Sequence, residues 1–274
     1  MGMNTTLVIN AKGGVGKTTI TTNLASFFAS RNIPTTIADY DPQSSSLNWL
    51  SLRSPEATKI HGADLAPRHG AGLAVARRQI PRDTQQLIID APAGPSRLLL
   101  QDLLARTQSI LIPVGPSTID IHATANFIKE LLLIGKVRFR NIRLAVIANR
   151  VRSSRPVYEP LEKFVGTLGI SFITRVSDSD VYVDAAETGV GVFEMVTDKA
   201  GAEQREFQPI GQWVLGENEA AAMAAPPAVA AADAAYDASN VVQLAAARAS
   251  AALRLSLHVA RSARVRASTS TWPP

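Results

Sequence analysis

The chain has 274 residues, 46% of them hydrophobic and 19% charged, enough for one large packed domain with a tail and too apolar for global disorder. It contains no cysteine, which excludes disulfide scaffolds, thiolate metal sites and cysteine nucleophiles. The 28 Lys and Arg against 23 Asp and Glu leave a net charge of +5, a mild bias towards polyanions.

Taken in chain order, short β-branched runs alternate with longer helical stretches up to residue 216. Strands are predicted over 5–10 (TTLVIN), 35–39 (TTIAD), 87–90 (LIID), 109–114 (SILIPV), 143–148 (RLAVIA) and 171–174 (SFIT). Each run is continuously apolar, as expected of strands covered on both faces. Helices are predicted over 18–30, 119–134 and 156–168, long enough to cross from one strand to the next. This repetition predicts an α/β fold, a doubly wound and mostly parallel sheet flanked by helices, over 1–216.

The composition changes over 217–274. Alanine supplies 21 of the 55 residues over 220–274, and no strand-like run occurs there. Pro226 and Pro227 interrupt the segment, and 241–267 has helical potential. Placed at about 100° per residue, its arginines (Arg248, Arg254, Arg261, Arg264, Arg266) scatter around the helix, which disfavours a membrane-surface role. The tail therefore reads as disordered or partly helical. No run of about 18 uncharged apolar residues and no signal-peptide layout is present, so a soluble, cytoplasmic protein is expected.

The strongest chemical signal is Lys12-Gly13-Gly14-Val15-Gly16-Lys17-Thr18-Thr19, which follows the first strand and opens a helix. That is the context of a phosphate-binding loop. Glycines admit backbone turns in which successive amides converge on phosphate oxygens, and the helix adds its positive end. Lys17 then offers a charge to the β- and γ-phosphates, and the Thr18 hydroxyl is placed to ligate Mg²⁺. The expected cofactors are ATP and Mg²⁺, with 13–19 as the nucleotide-binding loop.

Lys12, five residues before Lys17, resembles the extra lysine of the deviant phosphate loop in ParA/MinD ATPases. The segments Ile37-Ala38-Asp39-Tyr40-Asp41-Pro42-Gln43, Leu87-Ile88-Ile89-Asp90-Ala91-Pro92-Ala93-Gly94 and Pro113-Val114-Gly115-Pro116-Ser117-Thr118-Ile119-Asp120 resemble that family's next three motifs. Further on, 180–183 (DVYV) and 191–194 (GVFE) resemble the small ParF-like partition ATPases, the likeness reaching about residue 195. The few residues ahead of the loop hold no helix-turn-helix, which fits that small type.

The resemblance implies a role for each matching residue. Lys12 would reach into the partner subunit's nucleotide, and Asp41 would orient the attacking water. Asp39 and Asp90 would join Thr18 around the metal, Gly94 would sense the γ-phosphate, and Asn149 would lie against the adenine. It implies an ATPase that forms a homodimer on ATP binding and binds DNA without sequence preference. A ParB-like or cargo-adaptor partner would stimulate hydrolysis, positioning a plasmid, chromosome region or protein cargo on the nucleoid. Arg150, Arg152, Arg155 and Arg175 are candidate phosphate contacts. The alternatives are a MinD-like membrane-cycling ATPase and a metabolic enzyme of the same fold.

Overall fold

Apolar residues run unbroken along the central strands because consecutive side chains enter two different cores. Along 109–114, Ile110, Ile112 and Val114 enter one core and Leu111 the other. Leu87 and Ile89 oppose Ile88 in the same way, and Leu144, Val146 and Ala148 oppose Ala145 and Ile147.

The computed structural model describes residues 2–66, 79–133, 137, 140–152 and 158–217. Its strands are β1 (Asn4–Val8), β2 (Thr35–Asp39), β3 (Ile60–Asp64), β4 (Gln86–Asp90), β5 (Ser109–Val114), β6 (Arg143–Val151) and β7 (Ser171–Ser177). They form one sheet in the order β3-β2-β4-β1-β5-β6-β7, with every pairing parallel. The helices are α1 (Lys17–Ser30), α2 (Ser45–Ser51), α3 (Arg97–Leu104), α4 (Thr118–Leu133), α5 (Glu159–Thr167), α6 (Asp180–Glu187) and α7 (Thr197–Leu215). A short 3-10 turn, Val192–Glu194, precedes α7.

Helices α3, α4 and α5 cover one face through residues such as Leu103, Ile128 and Leu161. Helices α1, α2, α6 and α7 cover the other through Phe28, Trp49, Tyr182 and Phe207. Strand order reverses beside β1, so the loops leaving β1, β2, β4 and β5 gather at one carboxyl edge. Crevices at such reversals are where open α/β sheets bind ligands.

The doubly wound architecture is as expected, and the strands are wholly parallel. β1 ends at Val8 rather than Asn10, because its pairing with β4 and β5 stops at Val8 opposite Asp90 and Leu111. β3 was not expected: His61 and Gly62 interrupt its apolar pattern, and as an edge strand it pairs with β2 alone. The expected helix over 156–168 begins at Glu159 among the described residues. The tail beyond 217, the helix expected over 241–267 and Arg155 lie outside the described residues.

The carboxyl end of α7 is closed by Arg143 of β6. Its guanidinium donates to the Trp213 and Val214 carbonyls at 2.8 Å each and to Ser109 Oγ at 2.9 Å, and stacks 4.6 Å from the Trp213 ring. Arg143→Met keeps the stem but removes the donors to Val214 O and Ser109 Oγ, and leaves Trp213 O with the Gly216 amide alone. A loss of about 1–3 kcal/mol is expected, seen as a Tm lower by about 2–10 °C in a thermal melt.

Candidate functional site

The loop from β1 to α1 is held from beneath by Asn10, which is fully buried. Its amide nitrogen donates to Pro113 O at 2.8 Å and Thr124 Oγ1 at 2.9 Å, while its oxygen accepts from the Lys12 amide at 3.1 Å. Gly14 and Gly16 take φ of 75° and 86°, the left-handed region that admits glycine most readily. Gly16 precedes α1 without a capping side chain, and no acidic residue sits in the first turn. The amides at this helix end are therefore left for an anion.

Lys17 is buried at 8% exposure inside this cradle, while Lys12 stands at its rim with a side chain 42% exposed. Burial pushes the Lys17 ammonium below its ordinary value, and the carboxylates of Asp90 and then Asp41 pull it back. Lys12 Nζ lies 3.4 Å from Asp120 Oδ1 at the start of α4, a contact too long for a strong ion pair. Val15 is buried, Thr18 and Thr19 are half-buried, and Gly13 and Gly14 are exposed.

Asp39 and Asp90 end adjacent strands in direct register. Asp39 is fully enclosed, and its carboxylate is already engaged: Oδ1 accepts from the Asp41 amide at 2.8 Å, Oδ2 from the Ser46 amide at 3.1 Å and Ser46 Oγ at 2.6 Å. It organises the turn that carries Asp41, which is half-buried at the rim with Oδ1 on the Gln43 amide at 3.0 Å. Asp90 differs. Its Oδ2 accepts from Thr18 Oγ1 at 2.9 Å, and its buried Oδ1 has no hydrogen-bond partner among the described residues. Burial, and then the negative charge of Asp39, push its pKa up to about 7. An unpartnered carboxylate oxygen beside a threonine hydroxyl suits a hard divalent cation such as Mg²⁺.

Asn149 ends the apolar part of β6 with Nδ2 on Val15 O at 2.8 Å, so it braces the phosphate loop. Tyr158 fixes the same strand end, its hydroxyl lying 3.2 Å from Asn149 O. Gly94 takes φ of 56° beside Ala11, whose carbonyl a side chain at that position would touch at 3.5 Å. The exposed arginines are not bare. Arg150 and Arg152 both pair with Asp178, whose carboxyl they hold below its ordinary value, and Arg175 pairs with Glu162.

The structure thus gathers Lys12, 13–19, Asp39, Asp41, Asp90 and Asn149 at one edge. Sequence reasoning did not single out Asn10 and Ser46. The polar end of the TTLVIN run and the serines over 44–46, just ahead of α2, are the signals that could have found them.

Asp90 has a folded-state pKa near 7 against an ordinary 3.8, so the fold favours its protonated form. That stability is full at low pH and is lost as pH rises through 7. Asp90→Asn keeps an acceptor for Thr18 without the charge. In nucleotide-free, metal-free buffer at pH 8 its Tm should exceed the parent's by about 2–8 °C, the shift produced by 1–2 kcal/mol. The gap should close towards pH 4, and melts across this range check both the sign and the window.

Comparison with known proteins agrees with this fold. The chain is 26% identical over 196 residues to maintenance of carboxysome distribution protein A of Halothiobacillus neapolitanus, covering 70% of this chain and 87% of that protein. It is 29% identical over 147 residues to the chromosome-partitioning ATPase Soj of Thermus thermophilus, covering 44% and 59%. Among solved structures, a complex of a Cyanothece McdA variant with ATP superposes with a TM-score of 0.60 at 16% identity, over 78% of this chain and 96% of that one. MinD in the MinC:MinD complex of Aquifex aeolicus gives 0.60 at 17%, over 83% and 98%. Residues 6–192 match the family described as the CobQ/CobB/MinD/ParA nucleotide binding domain (CbiA), and the chain belongs to that family.

Proposed function

We propose that the protein is an ATPase in which ATP closes a homodimer, the dimer holds DNA without sequence preference, and a partner protein stimulates hydrolysis to release it. The observation that carries this reading is the division between two lysines on one loop. Lys17 is enclosed where its own phosphates would lie, whereas Lys12 stands at the rim on a weak contact with Asp120. One cation serves the local triphosphate, and the other is available to a second copy's, as an arginine finger supplied in trans would be. Leu98 and Ile119 support this, since they are 80% and 71% exposed just after the loops leaving β4 and β5.

Thr18 and Asp90 are the residues that would hold Mg²⁺, with Asp39 behind them as the organiser of the neighbouring turn. When bound, the metal offsets phosphate charge. Lys17 and the loop amides bind and orient the triphosphate, Asn149 borders the adenine, and Asp41 accepts a hydrogen bond from the attacking water. DNA binding rests on charge: Arg150, Arg152 and Arg175 are exposed, although each must leave a carboxylate to meet a phosphate. The cargo is of the kind named in the relatives, a partitioned chromosome or a carboxysome-like assembly, on a cytoplasmic nucleoid surface.

Asp41→Ala should retain ATP binding and dimer formation while turnover falls about 10²–10⁴-fold, the usual effect of losing a positioned proton acceptor. Light scattering with a phosphate-release assay checks both, and turnover at the parental rate refutes the role.

Lys12→Ala should bind ATP as a monomer, because Lys17, Thr18 and the amides remain. It should not dimerise, since the phosphates meeting across the interface lose the cation between them. The logarithmic salt slope of non-specific DNA binding should drop to about half, in proportion to phosphate contacts. ATP titration, sedimentation and DNA binding decide it, and ATP-dependent dimers of the variant on DNA sink the proposal.

A further inference from the structure

Helix α2 has only seven residues, too few to hold its place by propensity. It borders a half-open groove of about 270 Å³ lined by Thr18, Thr22, Trp49, Leu52 and Tyr182 among others, so one flank of it is left uncovered. Its pose depends on its two ends. At the amino end, Ser46 donates twice to Asp39 Oδ2, and Asp39 Oδ1 receives the Asp41 amide.

The carboxyl end is anchored by Arg53, which follows the helix. Its guanidinium meets the Glu194 carboxylate with both nitrogens, at 2.9 and 2.5 Å, and donates to Gly189 O at 2.9 Å and Thr58 O at 2.8 Å. Both side chains are largely buried, at 7% and 14% exposure. Trp49 adds an indole bond to Val190 O at 3.2 Å, and Arg53 lies 5.1 Å from its ring. Gly189 has φ of 67°, and a side chain there would stand 2.6 Å from the Arg53 amide nitrogen.

The wall that receives Arg53 is itself fixed. Glu194 Oε2 also accepts from the Gly191 amide at 3.0 Å, Val192 N donates to Asn23 Oδ1 of α1 at 2.9 Å, and Gln204 of α7 donates to Val192 O at 2.8 Å. Asn23 lies on the helix that begins at Lys17. One continuous set of bonds therefore runs from α1 through 189–194 to Arg53, along α2 to Ser46, and on to Asp39 and Asp41.

From this we infer that Arg53, clamped by Glu194, is a positioning residue that sets where Asp41 stands relative to the phosphate loop. The inference rests on the ATPase reading above. A buried bidentate pair is a directional device as much as an energetic one: the planar fork fixes both distance and angle. A lysine keeps the charge and loses the fork, so Arg53→Lys should behave like Arg53→Gln.

The test uses the full chain and compares the parent with Arg53→Gln, Arg53→Lys and Glu194→Gln. Removing one partner of a buried pair also destabilises the fold. Val214→Ala, a core truncation on α7 away from this linkage, therefore supplies a control of lowered Tm. The expected result is kcat reduced about 10²-fold, the scale of a displacement near 1 Å, with KM for ATP changed less than about twofold. Amide exchange at Ser46 and Asp41 should accelerate beyond that of the control. Adding Arg53→Gln to Asp41→Ala should lower turnover no further, because both act on one group. Arg53 variants whose kcat and exchange follow the Val214→Ala control overturn the inference. Should Arg53→Gln fail to fold, Trp49→Phe removes one anchor of the same end and carries the same comparison. A parent protein that hydrolyses no ATP refutes the proposed function instead, and the exchange comparison still decides the clamp.

Discussion

Two carboxylates at the ends of neighbouring strands and one ammonium at the start of α1 lie out of water, and much of the molecule is arranged around that fact. Asp39 and Asp90 share a register position on β2 and β4, and Lys17 is buried nearby. Isolated charges in such surroundings are expensive unless each finds partners. Asp39 takes three protein donors, whereas Asp90 takes one and keeps an oxygen open. The unequal sharing divides the labour: one carboxylate builds the loop, and the other keeps an oxygen open beside Lys17. Residual electrostatic discomfort at a binding site is a usual trade of stability for function.

Much of the frame was legible because its signals are local. The phosphate loop announces itself by two lysines, three glycines and a following threonine, and unbroken apolar runs disclosed the parallel strands. β3 escaped because an edge strand with a glycine and a histidine satisfies only one partner and shows no period. Helices α2 and α6 are shorter than the window over which helical periodicity declares itself, at seven and eight residues. Their positions come from tertiary bonds such as Arg53 to Glu194, 141 residues apart in sequence.

The site was legible as a set of residues and less so as a set of roles. Asp39 and Asp90 look alike in sequence, each closing an apolar strand. Only the donors around them separate the organiser from the carboxylate with an open oxygen. Asn10 was hidden for the same reason, since nothing in TTLVIN says that its last side chain turns inward to Pro113 and Thr124. Likewise Arg150 and Arg152 read as free cations in sequence, but both share Asp178 in the folded protein.

Gly16 and Asn149 stand 133 residues apart yet occupy one volume: a methyl group on the glycine would lie 2.0 Å from the asparagine's amide nitrogen. The best-known glycine of the motif is thus constrained twice, once by its φ of 86° and once by a side chain from β6. Relaxing either constraint alone leaves the other in force, so single-step change at this position is closed in two independent ways. A side chain on Gly16 would require the Asn149 amide to give up its place against Val15. The shape of the loop is thereby inherited through the sheet as well as through the motif.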